Sequence, residues 1–147
     1  MFLILTTGCQ LNSHQEIPKQ PLPAIRGTWK LISGTLIENG DTSITDYTKN
    51  LSFIKIINET HFAFLSHDLH HGKAADSAFS AGGGTYRLVD SLYTERLEYC
   101  SDRQAEGHDF TFTVSIKNDT LVQSGIEKIE ESGVNLLNIE KYARLKK

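Results

Sequence analysis

The sequence has few cysteines and prolines, no excess of basic residues and no long apolar run, and these absences exclude several classes of protein. With two cysteines and three prolines among 147 residues, the fold does not depend on a framework of several disulfides. The 15 lysines and arginines are scattered among 18 aspartates and glutamates, so the basic excess expected of a nucleic-acid-binding protein is missing. No apolar run approaches the ~20 residues that span a bilayer. The length and composition therefore predict one domain that does not bind nucleic acid.

The first nine residues combine a short apolar block with small and polar residues before Cys9. Small residues precede the cleavage site of a signal peptide, although the usual basic start is missing here. Gly8 followed by Cys9 resembles the lipobox of bacterial lipoproteins, with Leu5 one place further from the cysteine than expected. We predict that residues 1–9 are the end of a signal peptide and that Cys9 carries the lipid anchor. The alternative is a disordered cytoplasmic tail with a chance cysteine.

All three prolines of the chain lie in one polar stretch after Cys9, at Pro18, Pro21 and Pro23. Proline cannot donate to a sheet and favours extended, solvated chain. The sequence therefore predicts a flexible linker over residues 10–25 and a folded domain over residues 26–147.

The folded part has the composition of short strands separated by turn residues. We predict strands at 27–37, 51–58, 60–67, 85–90, 92–100, 110–117, 120–127 and 134–146. Two stretches do not fit a strand: 38–50, with a turn of helix around residues 44–47, and 68–84, a long loop. Within that loop, Gly82, Gly83 and Gly84 indicate a bulge or a tight crossing where a side chain would clash.

Strict alternation gives each strand an apolar and a polar face, as in residues 110–116, where Phe110, Phe112, Val114 and Ile116 share one side. Strands joined by very short connections pair antiparallel in a meander. Closing the meander removes its exposed edges. The sequence therefore predicts an all-β, up-and-down antiparallel barrel of about eight strands with little helix.

Four stretches carry a family resemblance: GTW at 27–29, FSAGGGTYRL at 79–88, LYTERLEYC at 92–100 and IEKYARLK at 139–146. Together they resemble a family of bacterial lipocalin-like (calycin) domains of unknown function, found in secreted and lipid-anchored envelope proteins. The resemblance implies a calycin barrel in the cell envelope, with Trp29 packed beneath Arg144 to seal one end. Two positions depart from the family: Tyr142 replaces a Trp, and Arg96 stands where a His is common.

One face of the strand at 92–100 is the strongest candidate for a binding surface. If Leu97 points inward, alternation carries Tyr93, Glu95 and Tyr99 inward too, and Tyr86 joins them if its register agrees. A carboxylate inside an apolar cavity could anchor a polar group of a ligand. The alternatives are that Glu95 is satisfied by a structural partner or that this face points outward.

A second candidate is the cluster of His67, Asp68, His70 and His71, which are ligand types that zinc or copper accepts. Their spacing matches no closed structural site, and histidines of a solvated loop are the more frequent explanation. We predict no metal and no cofactor.

These features predict an envelope lipoprotein whose barrel binds a small apolar or amphipathic molecule, with its membrane contact through Cys9. An isomerase- or cyclase-type enzyme using Glu95 is the first alternative, and it is weaker because no catalytic motif is present. The second is a filled barrel that acts as an interaction module.

Overall fold

A computed structural model of the chain describes residues 24–73, 75 and 77–146, and it is almost entirely β-structure. The predicted signal-peptide end, Cys9 and the prolines lie outside the described residues. The strands are β1 (Gly27–Glu38), β2 (Asp41–Asp46), β3 (Leu51–Ile57), β4 (His61–Asp68), β5 (Phe79–Val89), β6 (Leu92–Cys100), β7 (Asp109–Lys117), β8 (Thr120–Ile129) and β9 (Val134–Arg144). A 3-10 turn over Glu130–Ser132 joins the last two.

Antiparallel pairing runs from β3 through to β9, and β1 closes the sheet by pairing with both β3 and β9. The eight strands β1 and β3 to β9 therefore form a closed barrel, which confirms the predicted fold class. The ninth strand, β2, lies outside this circuit because it pairs only with the second half of β1, from Ser33 to Glu38.

The prediction of a turn of helix around residues 44–47 was wrong. This stretch forms β2 and the turn that follows it, because Asn39 and Gly40 both adopt positive φ angles and fold β1 back into a hairpin. Ile44 is 71% exposed, so no apolar helical face is buried there.

The predicted loop over residues 68–84 is shorter than expected, since β4 continues to Asp68 and β5 already begins at Phe79. The glycines belong to β5, and the pairing with β6 shifts register between Gly83 and Gly84. A Cβ at Gly83 would lie 2.6 Å from the Phe62 carbonyl oxygen, and one at Gly84 would overlap the Arg96 carbonyl. The predicted need for glycine at a bulge and a tight crossing is confirmed.

The two ends of the barrel are built differently. The closed end carries the tight turns at 58–60, 90–91 and 118–119 and the start of β1; the open end carries the end of β4, the start of β5 and the loops at 101–108 and 130–133. Ile25 is buried in the core at the closed end, so the last residue of the predicted linker belongs to the domain.

At the closed end, Arg144 of β9 lies over Trp29 of β1, with the guanidinium carbon 4.0 Å from the ring centroid. The guanidinium also donates hydrogen bonds to the carbonyl oxygens of Arg26 and Ala24. The Trp29 indole donates to the Ile25 carbonyl at 2.7 Å. These hydrogen bonds attach the chain before β1 to both β1 and β9 at the closed end.

Candidate ligand-binding site

The interior of the barrel holds a cavity of about 390 Å³ toward the open end. Six strands and the 101–108 loop line it with inward side chains. Aromatic and aliphatic walls come from Phe53, Phe64, Leu97, Phe110, Phe112 and Leu136. Proteins bind small molecules in clefts of roughly 300 to 1,000 Å³ with mostly apolar walls and a few placed polar groups. The cavity has both the size and the lining of such a site.

Its deepest polar group is a buried ion pair between β3 and β6. The Lys55 ammonium lies 2.6 Å from Glu95 Oε1 and donates a second hydrogen bond, 3.1 Å long, to Gln123 Oε1. All three side chains are less than 10% exposed. Burial raises the pKa of the Glu95 carboxyl, and the Lys55 charge opposes that rise. The pair compensates two charges that would be costly to bury alone.

Aromatic rings surround the Lys55 ammonium on three sides. It lies 5.6 to 5.7 Å from the ring centroids of Phe62, Tyr93 and Tyr142. These distances fall within the range of cation–π attraction. The lysine is therefore held by its ring contacts as well as by Glu95.

Further carboxyl groups line the cavity on β8 and β9. Glu127 accepts a hydrogen bond from the Asn138 amide at 2.8 Å, and Glu140 accepts one of the same length from the Tyr142 hydroxyl. Burial raises the pKa of Glu127, and Asn138 counteracts this effect. The lining thus contains the carboxyl groups of Glu95, Glu127, Glu140 and Asp102 against one lysine.

The hydroxyl of Tyr93 is buried and finds no hydrogen-bond partner among the described residues. Burial, together with the neighbouring Glu95 carboxylate, raises the Tyr93 pKa far above its usual value. The phenol therefore stays protonated next to the ion pair. An unpaired buried polar group of this kind costs about 1 to 3 kcal/mol.

The structure brings three of the five predicted binding residues together: Tyr93, Glu95 and Leu97 are all buried and point inward. Tyr86 lies closer to the closed end, with its ring 5.2 Å from Tyr93 and its hydroxyl donating to the Asn58 carbonyl. Tyr86 and Tyr93 both belong to the wall below the cavity, and of the five predicted residues Glu95 and Leu97 line the cavity itself.

The inward orientation predicted for Tyr99 was wrong. In the β5–β6 register Gly84 faces Leu97 and Gly83 faces Tyr99, so Glu98 is an extra residue in a bulge. One extra residue reverses the alternation. Tyr99 is consequently 68% exposed, and Cys100 takes the inward position that lines the cavity.

Tyr99 instead borders a hollow of about 580 Å³ on the outer surface, above the three glycines. This outer hollow is open and apolar, and it contains no buried ion pair. The interior cavity is the better site because polar groups converge in it.

Sequence reasoning missed the partners that complete the interior site: Lys55, Gln123, Glu127 and Glu140. One signal was available for the lysine. Lys55 lies two residues from Phe53 and from Ile57 in an apolar strand, so alternation would have placed it on the same inward face.

The histidine cluster has a structural explanation. Asp68 is buried and accepts hydrogen bonds from the backbone amides of His70, Gly72 and Ala78, which lower its pKa, that from Gly72 most strongly. His70 and His71 are exposed. Within the described residues, no group of three or more His, Cys, Asp and Glu side chains is arranged to hold a metal ion.

No protein-family model matches the chain, and neither curated proteins nor solved structures provide a match. None of the described residues forms a helix long and apolar enough to cross a membrane.

Proposed function

We propose that this protein binds a small apolar or amphipathic molecule inside the barrel. The observation that carries the proposal is the cavity of about 390 Å³ with the Lys55–Glu95 pair at its base. A barrel that served only as a solid scaffold would fill this space with side chains, because protein interiors pack as densely as organic crystals.

The polar groups suit the orientation of a ligand. Gln123 and Glu95 are buried yet border the cavity, so a ligand that enters from the open end meets directional hydrogen-bonding groups at its base. The phenylalanines above them supply apolar contact. This division into a polar base and apolar walls supports an amphipathic ligand.

The enzyme alternative rests on Glu95 and the adjacent Tyr93 hydroxyl. The Lys55 ammonium already engages one Glu95 oxygen, which holds the carboxylate in place and opposes its use as a proton donor. Glu95→Gln separates the two functions: a binding protein keeps part of its affinity, whereas an enzyme that uses this carboxylate loses turnover.

For the compartment, we propose a bacterial envelope lipoprotein anchored through Cys9. The support is the sequence LTTGCQ followed by the proline-bearing stretch. Bacteria that express the full chain are grown in the presence of an alkyne-bearing palmitate. The wild-type protein should become labelled. The Cys9→Ser variant should remain unlabelled. Equal labelling of both proteins would overturn the anchor.

Binding can be tested with the neutral dye N-phenyl-1-naphthylamine, whose fluorescence rises in an apolar environment. Ala105 lies in the loop over the cavity and contributes to its lining, whereas the neighbouring Gln104 is exposed and does not. Ala105→Trp should therefore obstruct the cavity and weaken dye binding. Gln104→Trp is the matched control and should bind as the wild type does. Equal binding by both variants, or no saturable binding by the wild type, would contradict the proposal.

A further inference from the structure

The charge of the cavity lining is unbalanced. Four carboxyl groups and one lysine face the same space, and Lys55 is already committed to Glu95. Glu127 and Glu140 have no cationic partner among the described residues; they accept hydrogen bonds from the neutral Asn138 amide and Tyr142 hydroxyl. Both are half-buried, and a carboxylate partly removed from water without a cation is costly.

Glu140 faces Gln123 in the β8–β9 pairing and lies near the ion pair, whereas Glu127 lies away from the lysine along β8. Glu127 is four residues beyond Gln123 toward the open end, a separation of roughly 13 Å along a strand. A positive group that enters from the open end therefore meets Glu127 before it meets the repulsion of the Lys55 ammonium.

Each of these carboxylates retains an oxygen for a ligand. Asn138 engages Oε1 of Glu127, and Tyr142 engages Oε2 of Glu140. The second oxygen of each carboxyl group accepts no hydrogen bond from the described residues. At Glu127, this second oxygen can accept an N–H from a protonated amine.

The apolar part of the cavity also suits a cation. The rings of Phe53 and Phe64 stack with centroids 5.7 Å apart, and Phe53 meets Tyr142 edge-on at 6.3 Å. All three line the cavity. Aromatic faces attract ammonium groups and pack against hydrocarbon at the same time.

We propose that the ligand is a protonated amine on an apolar body. The ammonium group is held by Glu127, and the hydrocarbon lies against Phe53 and Phe64. This inference rests on the proposed function, since it specifies which ligands the same cavity prefers.

The test uses three probes with the same eight-carbon chain: n-octylamine, 1-octanol and octanoate. Each probe is titrated near neutral pH into the wild-type protein with bound N-phenyl-1-naphthylamine, and displacement of the dye is measured. We expect octylammonium to act at a concentration about tenfold or more below that of octanol, with octanoate weakest. If octanol or octanoate competes as well as the amine, or if none displaces the bound dye, the ligand class is overturned and cavity binding stands. Failure of the dye itself to bind overturns the proposed function.

Charge variants localise the preference. Glu127→Gln keeps the shape and an acceptor for Asn138 but removes the charge, so the advantage of octylammonium over octanol should shrink several-fold. Glu38→Gln changes the net charge equally on an exposed position outside the cavity and should leave the advantage intact. Equal advantages in the two variants would overturn the assignment to Glu127. Circular dichroism confirms that both variants are folded.

Discussion

The closed and open ends of the barrel use charged side chains in opposite ways. At the closed end Arg144 lies on Trp29, and two backbone carbonyls and Asp119 accept its hydrogen bonds or charge. Toward the open end, the only hydrogen bond that Glu127 accepts from the described residues comes from the neutral Asn138 amide. A charged group whose hydrogen bonds are all made within the protein stabilises the fold. A carboxylate in a cavity that accepts a hydrogen bond at only one oxygen is available to a ligand. The following substitutions test this distinction.

The largest effect is expected at the closed end. Trp29 is fully buried and carries the Arg144 stack, so Trp29→Ala should lower the free energy of unfolding by about 3 to 5 kcal/mol. Urea denaturation measures this change. Ile44→Ala, on the exposed face of β2, is the control and should change it by less than about 0.5 kcal/mol. A small effect of Trp29→Ala would show that the closed end is not a structural plug.

The next effect concerns the ion pair at the base of the cavity. Lys55→Met leaves Glu95 buried without its cation and should cost about 3 kcal/mol or more. The double variant Lys55→Met/Glu95→Gln removes the stranded charge and should recover part of that loss. The denaturation midpoints of the two variants measure how much stability the second substitution restores. If the double variant is no more stable than Lys55→Met, the cost is due to packing and the charges do not matter.

The two ends should also respond oppositely to pH. Burial raises the pKa of Glu127 above its usual 4.5, so the folded state binds protons more tightly than the unfolded state there. The contribution of Glu127 to the free energy of unfolding is largest below its pKa in the unfolded state. It falls as the pH rises through its pKa in the folded state. Lys146 and Arg144 lower the pKa of Asp119, whose stability contribution is lost as pH falls below about 3.8.

Denaturation midpoints across pH 4 to 8 test the open end. Glu127→Gln should flatten the decline in stability with rising pH, and Asp119→Asn should leave that part of the profile unchanged. An unchanged slope in Glu127→Gln would mean that this carboxyl is not held in an unfavourable environment.

The smallest effect is expected from two hydroxyl deletions. Tyr93→Phe removes a group without a partner and should be neutral or stabilise by up to about 1 kcal/mol. Tyr142→Phe loses the hydrogen bond to Glu140 and should destabilise by about 1 kcal/mol. Matched urea titrations compare them. A clear loss of stability in Tyr93→Phe would show that the hydroxyl has a partner after all, either Glu95 or a bridging water.

The alternation of apolar and polar residues within single strands was enough to predict the barrel and part of its interior. Phe110, Phe112 and Val114 are buried and alternate with exposed threonines, as the period of two requires. Tyr93, Glu95 and Leu97 follow the same rule on β6. Such positions depend only on the pleat of one strand.

The remaining features depend on neighbouring strands. The bulge at Glu98 reverses the direction of Tyr99, and it arises from the register against Gly83 and Gly84. The carboxyl groups of Glu95, Glu127 and Glu140 come from three strands, and only closure of the barrel makes them line one cavity. No short stretch of sequence contains this information.

Ligand binding inside the barrel is tested most directly by an amide NMR titration of the ¹⁵N-labelled protein with N-phenyl-1-naphthylamine. We expect shift changes concentrated around the cavity on β6, β8 and β9, near Leu97, Glu127 and Asn138, with little change at Trp29 of the closed end. Changes confined to Ala81–Gly84 and Tyr99 would assign binding to the outer hollow and contradict binding inside the barrel.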